Sequence, residues 1–260
     1  MPCDRFRFVR HASRVGLLLV GLAPGIAAAH YPWLTPARYT PEPGQPLAFS
    51  VGWGHAFPGV DTLDAQRLEA AQLVAADGAV YDIELVNGTA FTTAPLPGEG
   101  PWLLAARQAS AYYSRTPRGG QRSSRREHPD ALSCGYSSNG VKALLGEGAG
   151  ALDQPLGHPL ELVPVAEAGI SGVRVETPLA VRVLLHGRPW KGTVEAVFAG
   201  FEGTEDQYPL SAETDADGVA RLEFTQPGRW MIKAAASEPY PDPAVCDRSN
   251  YTATLTLMVR

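Results

Sequence analysis

"YTATLTLMV", residues 251–259, decides the fold class. Tyr251, Ala253, Leu255, Leu257 and Val259 fall on one side of an extended chain, and Thr252, Thr254 and Thr256 on the other. A period of two with β-branched and apolar residues is the mark of a β-strand. The same alternation recurs in "LAFSVGW" (47–53), "AVYDIEL" (79–85), "LAVRVLL" (179–185), "GTVEAVF" (192–198), "VARLEF" (219–224) and "WMIKAAA" (230–236). Turn chemistry separates these runs: "ADG" at 76–78, "NG" at 87–88, "HG" at 186–187, "DADG" at 215–218 and "PG" at 227–228, residues that tolerate tight or left-handed backbone. Helical periodicity is almost absent, and the one candidate, "TLDAQRLEAAQ" (62–72), reads equally as helix or loop. Many short strands punctuated by 27 glycines and 23 prolines predict an all-β chain built from two Ig-like β-sandwich domains.

The beginning of the chain reads differently. Arg5, Arg7, Arg10 and Arg14 stand against one Asp4, followed by the apolar core "VGLLLVGLA" (15–23), Pro24-Gly25, and Ala27-Ala28-Ala29. A basic leader, a short apolar core and small residues make an export signal cleaved after Ala29. The core is too short to span a membrane, which takes about 20 apolar residues. The expectation is a soluble, periplasmic protein without direct membrane insertion after cleavage. Cleavage removes four arginines and one aspartate, so the formal net charge moves from −5 to −8. An acidic chain with only three lysines is a poor binder of nucleic acid or anionic lipid.

Cys3 leaves with the signal, and Cys134 and Cys246 remain. In an oxidising compartment an isolated pair forms a disulfide; two thiolate metal ligands would need a reducing environment or CxxC spacing, and neither is present. Residues 112–150, "YYSRTPRGGQRSSRREHPDALSCGYSSNG" and beyond, are polar, arginine-rich and weakly patterned, which predicts a long excursion tethered at Cys134. A boundary near 151–157 then divides a signal peptide (1–29), an N-terminal β-rich domain (30–153) and a C-terminal Ig-like sandwich (154–260), the last opening with "HPLELVPV" (158–165).

No G-x-S-x-G elbow, phosphate-cradling glycine loop or H-E-x-x-H occurs, and the expectation is a binding protein and not an enzyme. Two histidine segments stand out: "HYPWLTP" at the expected new terminus, and "VGWGHAFPG", where His55 follows a strand among Gly52, Gly54, Pro58 and Gly59. A terminal His30 offers two nitrogens in one chelate, its α-amine and its ring Nδ1. The amine, with an ordinary pKa of about 7.7–8.0, must lose a proton to bind. With His55 this makes a three-nitrogen set suited to Ni(II), Co(II), Cu(II) or Zn(II). His128, in the arginine-rich segment, is either a further ligand or solvated; His158 and His186 read as structural, at a strand start and in a hairpin turn. Trp33, Trp53 and Phe57 flank the pair, as walls of a site or as core. The alternation of Trp53 with Phe49 and Val51 favours core.

In order and spacing, "AHYPWLTP", "PGQPLAFSVGWGHAFPG", "PWLLAARQASAYYSRTPRGG", "LGHPLELVPV", "VRVLLHGRPWKGTVEAVF", "TDADGVARLEF" and "YTATLTLMV" together resemble the periplasmic components of bacterial ABC-type cobalt and nickel uptake systems. The resemblance implies capture of Ni(II) or Co(II) outside the inner membrane and delivery to membrane ABC-type permease components. It falls on His30 and His55, at the His-after-signal and Gly-His-x-Phe positions. Two other classes remain open: a copper histidine-brace oxidase, which also uses an N-terminal histidine and a second histidine, and a metal-free envelope interaction module.

Overall fold

Residues 30–165, 172–204 and 206–260 of the computed structural model form seventeen strands and one 3-10 turn, Ala65–Arg67; no α-helix occurs among the described residues. The leader expected over residues 1–29 lies outside them. The first half contributes β1 (Tyr31–Pro36), β2 (Ala48–Gly54), β3 (Leu68–Val74), β4 (Val80–Asp82), β5 (Ala90–Thr92), β6 (Trp102–Gln108), β7 (Ala111–Thr116), β8 (Gly119–Gln121) and β9 (Ser133–Leu145). The second contributes β10 (Leu160–Pro164), β11 (Leu179–Leu185), β12 (Arg188–Pro189), β13 (Thr193–Phe198), β14 (Leu210–Glu213), β15 (Val219–Leu222), β16 (Gly228–Pro239) and β17 (Arg248–Val259).

The large sheet runs β14-β13-β16-β17-β9-β6-β3-β4, with β7 and β8 joined at β9; β1-β2-β5 forms a second sheet, and β10, β11, β12 and β15 a third. All three are antiparallel except for one junction, where β17 runs parallel to β9 from Arg248↔Gly135 to Thr256↔Ala143. The boundary expected near 153 falls between β9 and β10 in the chain, and the large sheet runs across it. Two sandwiches therefore share one sheet. On one face Leu255, Leu257 and Val259 of β17 join Trp230, Leu162 and Val183 in an apolar core under the third sheet. On the other, Leu104, Val141 and Ala143 pack with Leu34, Phe49 and Val51 under the second.

This layering explains the threonine face of β17. An alternating strand ordinarily turns its polar side to water, yet Thr254 and Thr256 are fully buried. Each satisfies its hydroxyl on a carbonyl of β1: Thr254 Oγ1 donates to Pro32 O and Thr256 Oγ1 to Leu34 O, both at 2.9 Å. Hydrogen bonding is what makes the buried hydroxyls tolerable, and it fixes the first strand against the last.

Two expectations are corrected. "TLDAQRLEAAQ" is neither helix nor plain loop: after the 3-10 turn it becomes β3, because Leu68, Ala71, Leu73 and Val74 bury in the cores on either side of the sheet. The polar excursion expected over 112–150 is largely strand. Residues 133–145 of it are β9, a thirteen-residue strand between β17 and β6, whose polar first half hid the pattern. The arginine-rich remainder is tied down. Arg125 makes a two-pronged ion pair with Asp247 (2.5 and 2.7 Å), Arg126 meets Asp242 at 2.8 Å, and Cys134 is disulfide-bonded to Cys246.

Candidate metal centre

Antiparallel pairing of β1 with β2 sets Tyr31 opposite Gly54, Trp33 opposite Gly52 and Leu34 opposite Val51. Extending that register by one residue puts His30 across from His55, so a gap of 25 positions in the chain becomes direct adjacency. Phe49, Val51, Trp53 and His55 share one face of β2 by the strand period. The first two are core, Trp53 lies at its margin, and His55 extends the stripe past its edge. Trp33 points to the opposite side, where a Cβ on Gly52 would collide with its indole at 2.2 Å; glycine there lets the ring lie flat over β2. Slippage by one residue would exchange the two faces and separate the histidines.

His30 Nδ1 and His55 Nε2 stand 3.1 Å apart, with ring centroids at 4.2 Å. The His30 ring stacks on Trp53 at 5.7 Å and 21°, and the Arg67 guanidinium covers Trp53 at 4.8 Å. Trp53 thus serves both readings, bordering the core and walling the histidine pair. Phe57 and Trp33 pack with Tyr31, Val197 and Met231 in a small separate core beneath it.

The second half of the chain supplies the other wall. Tyr31 donates its hydroxyl to the His55 carbonyl at 2.7 Å, Tyr208 donates to the Tyr31 oxygen at 3.0 Å, and Lys233 donates to the Tyr208 oxygen at 2.5 Å. The Lys233 ammonium also lies over the rings of Tyr31 (4.6 Å) and Tyr208 (4.3 Å) and 3.5 Å from the Glu195 carboxylate. Burial, reinforced by the bond to Tyr31, pushes the Tyr208 hydroxyl far above its ordinary pKa, so it stays a neutral relay. Asp206 Oδ2 is 3.5 Å from His55 Nδ1, a nitrogen otherwise buried without a hydrogen bond.

His128 is elsewhere. Its backbone closes a turn on Ser124 and Arg125, in the segment pinned by Asp247, and no contact joins it to His30 or His55 among the described residues. His158 is buried against Gly140, where a Cβ would meet its Nδ1 at 2.3 Å. His186 occupies the turn between β11 and β12 with a positive φ of 50°. Sequence reasoning missed Asp206, Tyr208, Lys233 and the role of Tyr31. They lie up to 203 positions from His30, and no motif marks them.

Among the described residues no group of three or more His, Cys, Asp or Glu side chains is placed to hold a metal ion. The two facing ring nitrogens do fit one. Their separation is less than twice a metal–imidazole bond of about 2.0–2.1 Å, so a single ion reaches both. Within the chain the His30 nitrogen is a peptide amide, whose lone pair is not free to bind an ion.

An all-β protein with a two-histidine corner at the start of its first strand is the class that fold and site define. The chain belongs to the family described as "Domain of unknown function (DUF4198)", whose model matches residues 27–238. That match begins three residues before His30 and takes in His55, Asp206, Tyr208 and Lys233. No curated relative matches the chain. Among solved structures, it is similar to the D0-D1 domain of intimin, at 11% identity over 86% of this chain and 96% of that one, with a TM-score of 0.21. No helix among the described residues is long and apolar enough to cross a membrane.

Proposed function

We propose that this chain is an exported, periplasmic transition-metal-binding protein. In this reading, cleavage after Ala29 frees the His30 amine, which joins the His30 ring and His55 in holding one Ni(II) or Co(II) for hand-over to a membrane ABC-type permease. The observation that carries the reading is the 3.1 Å approach of His30 Nδ1 to His55 Nε2. At this distance the two nitrogens share a hydrogen bond when one of them carries the proton, and a cation that displaces that proton can take both. An all-nitrogen donor set suits late first-row ions over Mg(II) or Ca(II), and the resemblance to nickel and cobalt uptake components narrows the choice to those two. The exposed His30 leaves one side open, as release to a partner requires. His128 makes no contact with this pair among the described residues and is left out of the set.

Calorimetric titration of protein beginning at His30 tests the reading, against a form carrying one extra residue before His30 and against His55→Ala and His128→Ala. The expected result is tight Ni(II) or Co(II) binding with proton release, a loss of at least tenfold in the extended form and in His55→Ala, and no change in His128→Ala. Equal binding by the processed and extended forms would overturn the N-terminal chelate. Preference for Cu(II) with reductant-dependent peroxide formation would favour a copper histidine brace, and no response to any divalent ion a metal-free interaction module.

A further inference from the structure

The histidine pair is built from the first half of the chain, but the nitrogen on the far side of His55 faces the second. Among the described residues His55 Nδ1 is buried and makes no hydrogen bond, an arrangement that costs free energy unless something answers it. The charged group facing it is Asp206, with Oδ2 at 3.5 Å. The Asp206 carboxylate in turn has two neighbours on its other side. Tyr208 OH lies 3.5 Å and Lys233 Nζ 3.9 Å from its other oxygen, Oδ1. Its backbone adopts a positive φ of 59°, a conformation that aspartate and asparagine tolerate better than most residues.

We propose that Asp206 is a positioning residue that selects the His55 tautomer: it holds the proton on Nδ1, so that Nε2 carries its lone pair toward His30 Nδ1. The inference rests on the metal-binding reading for its purpose, but not for its geometry. A ring nitrogen that is to bind an ion must be unprotonated, and which nitrogen is free depends on what the other one meets. A carboxylate can only accept, so it favours Nδ1–H. The Lys233 ammonium, 3.9 Å from Oδ1, attracts the carboxylate, while Tyr31 pins the His55 carbonyl. At 3.5 Å the pair is an electrostatic contact and not a closed hydrogen bond.

Long-range 1H–15N correlation of the histidine rings in metal-free protein beginning at His30 tests this, at about pH 8, where free imidazole with its pKa of about 6.5 is neutral. The expected wild-type spectrum has His55 protonated on Nδ1 and free at Nε2. Asp206→Asn can turn its amide donor toward the ring and shifts the population toward Nε2–H. Asp206→Gly removes the carboxylate while accepting the positive φ, which guards against a mere folding defect. Nickel affinity by calorimetry should fall about 10–100-fold in both variants. A wild-type His55 protonated on Nε2, or an unchanged tautomer in both variants, would overturn the proposal. If the tautomer shifts as expected but even wild-type protein ignores Ni(II), the positioning of His55 stands and the metal reading fails.

Discussion

Thr256 donates its hydroxyl to the carbonyl of Leu34 across 2.9 Å and 222 positions of sequence. The bond joins the final strand to the first, four residues from His30, and so ties the geometry of the histidine corner to the far end of the chain.

Replacing Thr256 with Val keeps the shape and removes the donor. Because the residue is fully buried, the cost is expected to be about 1–3 kcal/mol, the range for leaving a buried partner without its bond. Urea unfolding should show a lower midpoint with an unchanged slope. An unaltered midpoint would mean that the β1 carbonyl finds another donor.

Acid should destabilise the protein through His158. Burial, with the nearby Lys142 ammonium, lowers its imidazole from 6.5 to about 4, so the folded ring stays neutral where the unfolded one is charged. A base whose folded pKa is depressed gives stability that is complete above about pH 6.5 and lost as pH falls toward 4. At 1.36 kcal/mol per unit the whole swing is about 3 kcal/mol. Glu161 adds to the loss. Burial works to raise its carboxyl, but Lys142 at 2.6 Å overcomes that and holds it below the ordinary range, so its contribution also fades in acid. Denaturation midpoints at pH 7, 5.5 and 4.5 should fall steeply in wild type and less in His158→Gln. Parallel curves would remove His158 from the account.

The disulfide between Cys134 and Cys246 spans 112 positions, and in the chain-entropy model a loop of that length contributes about 4–5 kcal/mol. Replacing both cysteines with Ala should lower the guanidinium midpoint accordingly. Arg125 and Asp247 bind the same two segments, and Asp247 also accepts from the Cys134 amide at 2.7 Å. The cysteine-free protein is therefore expected to keep its fold, with amide exchange quickening first around residues 122–134 and 240–248. Equal midpoints with and without reductant in the wild type would contradict this.

Much of this architecture was legible because alternation and turn chemistry are local. "LAVRVLL" is β11 residue for residue, and "GTVEAVF" is β13 less its first glycine. β9 was not legible. Its first half, "SCGYSSN", carries polar side chains that are answered by distant partners, as when Asn139 donates to Gln108 and accepts from Thr252 N. The sharing of one sheet by both halves escaped for the same reason, since a parallel pairing leaves no mark on either strand. At the site, His30 and His55 were findable from composition and position. Their adjacency needed the β1–β2 register, and Asp206, Tyr208 and Lys233 needed the tertiary fold.

The bond between residues 34 and 256 also sets an order of events. β1 and β2 lie close in sequence and can pair early, yet the carbonyls of Pro32 and Leu34 wait for threonines 222 positions further along the chain. β9, paired along one edge with β6 and β7, lacks its neighbour on the other edge until β17 arrives. Contacts of such long sequence separation slow folding. The corner beside residue 30 thus rests on contacts that close only once β17 is in place.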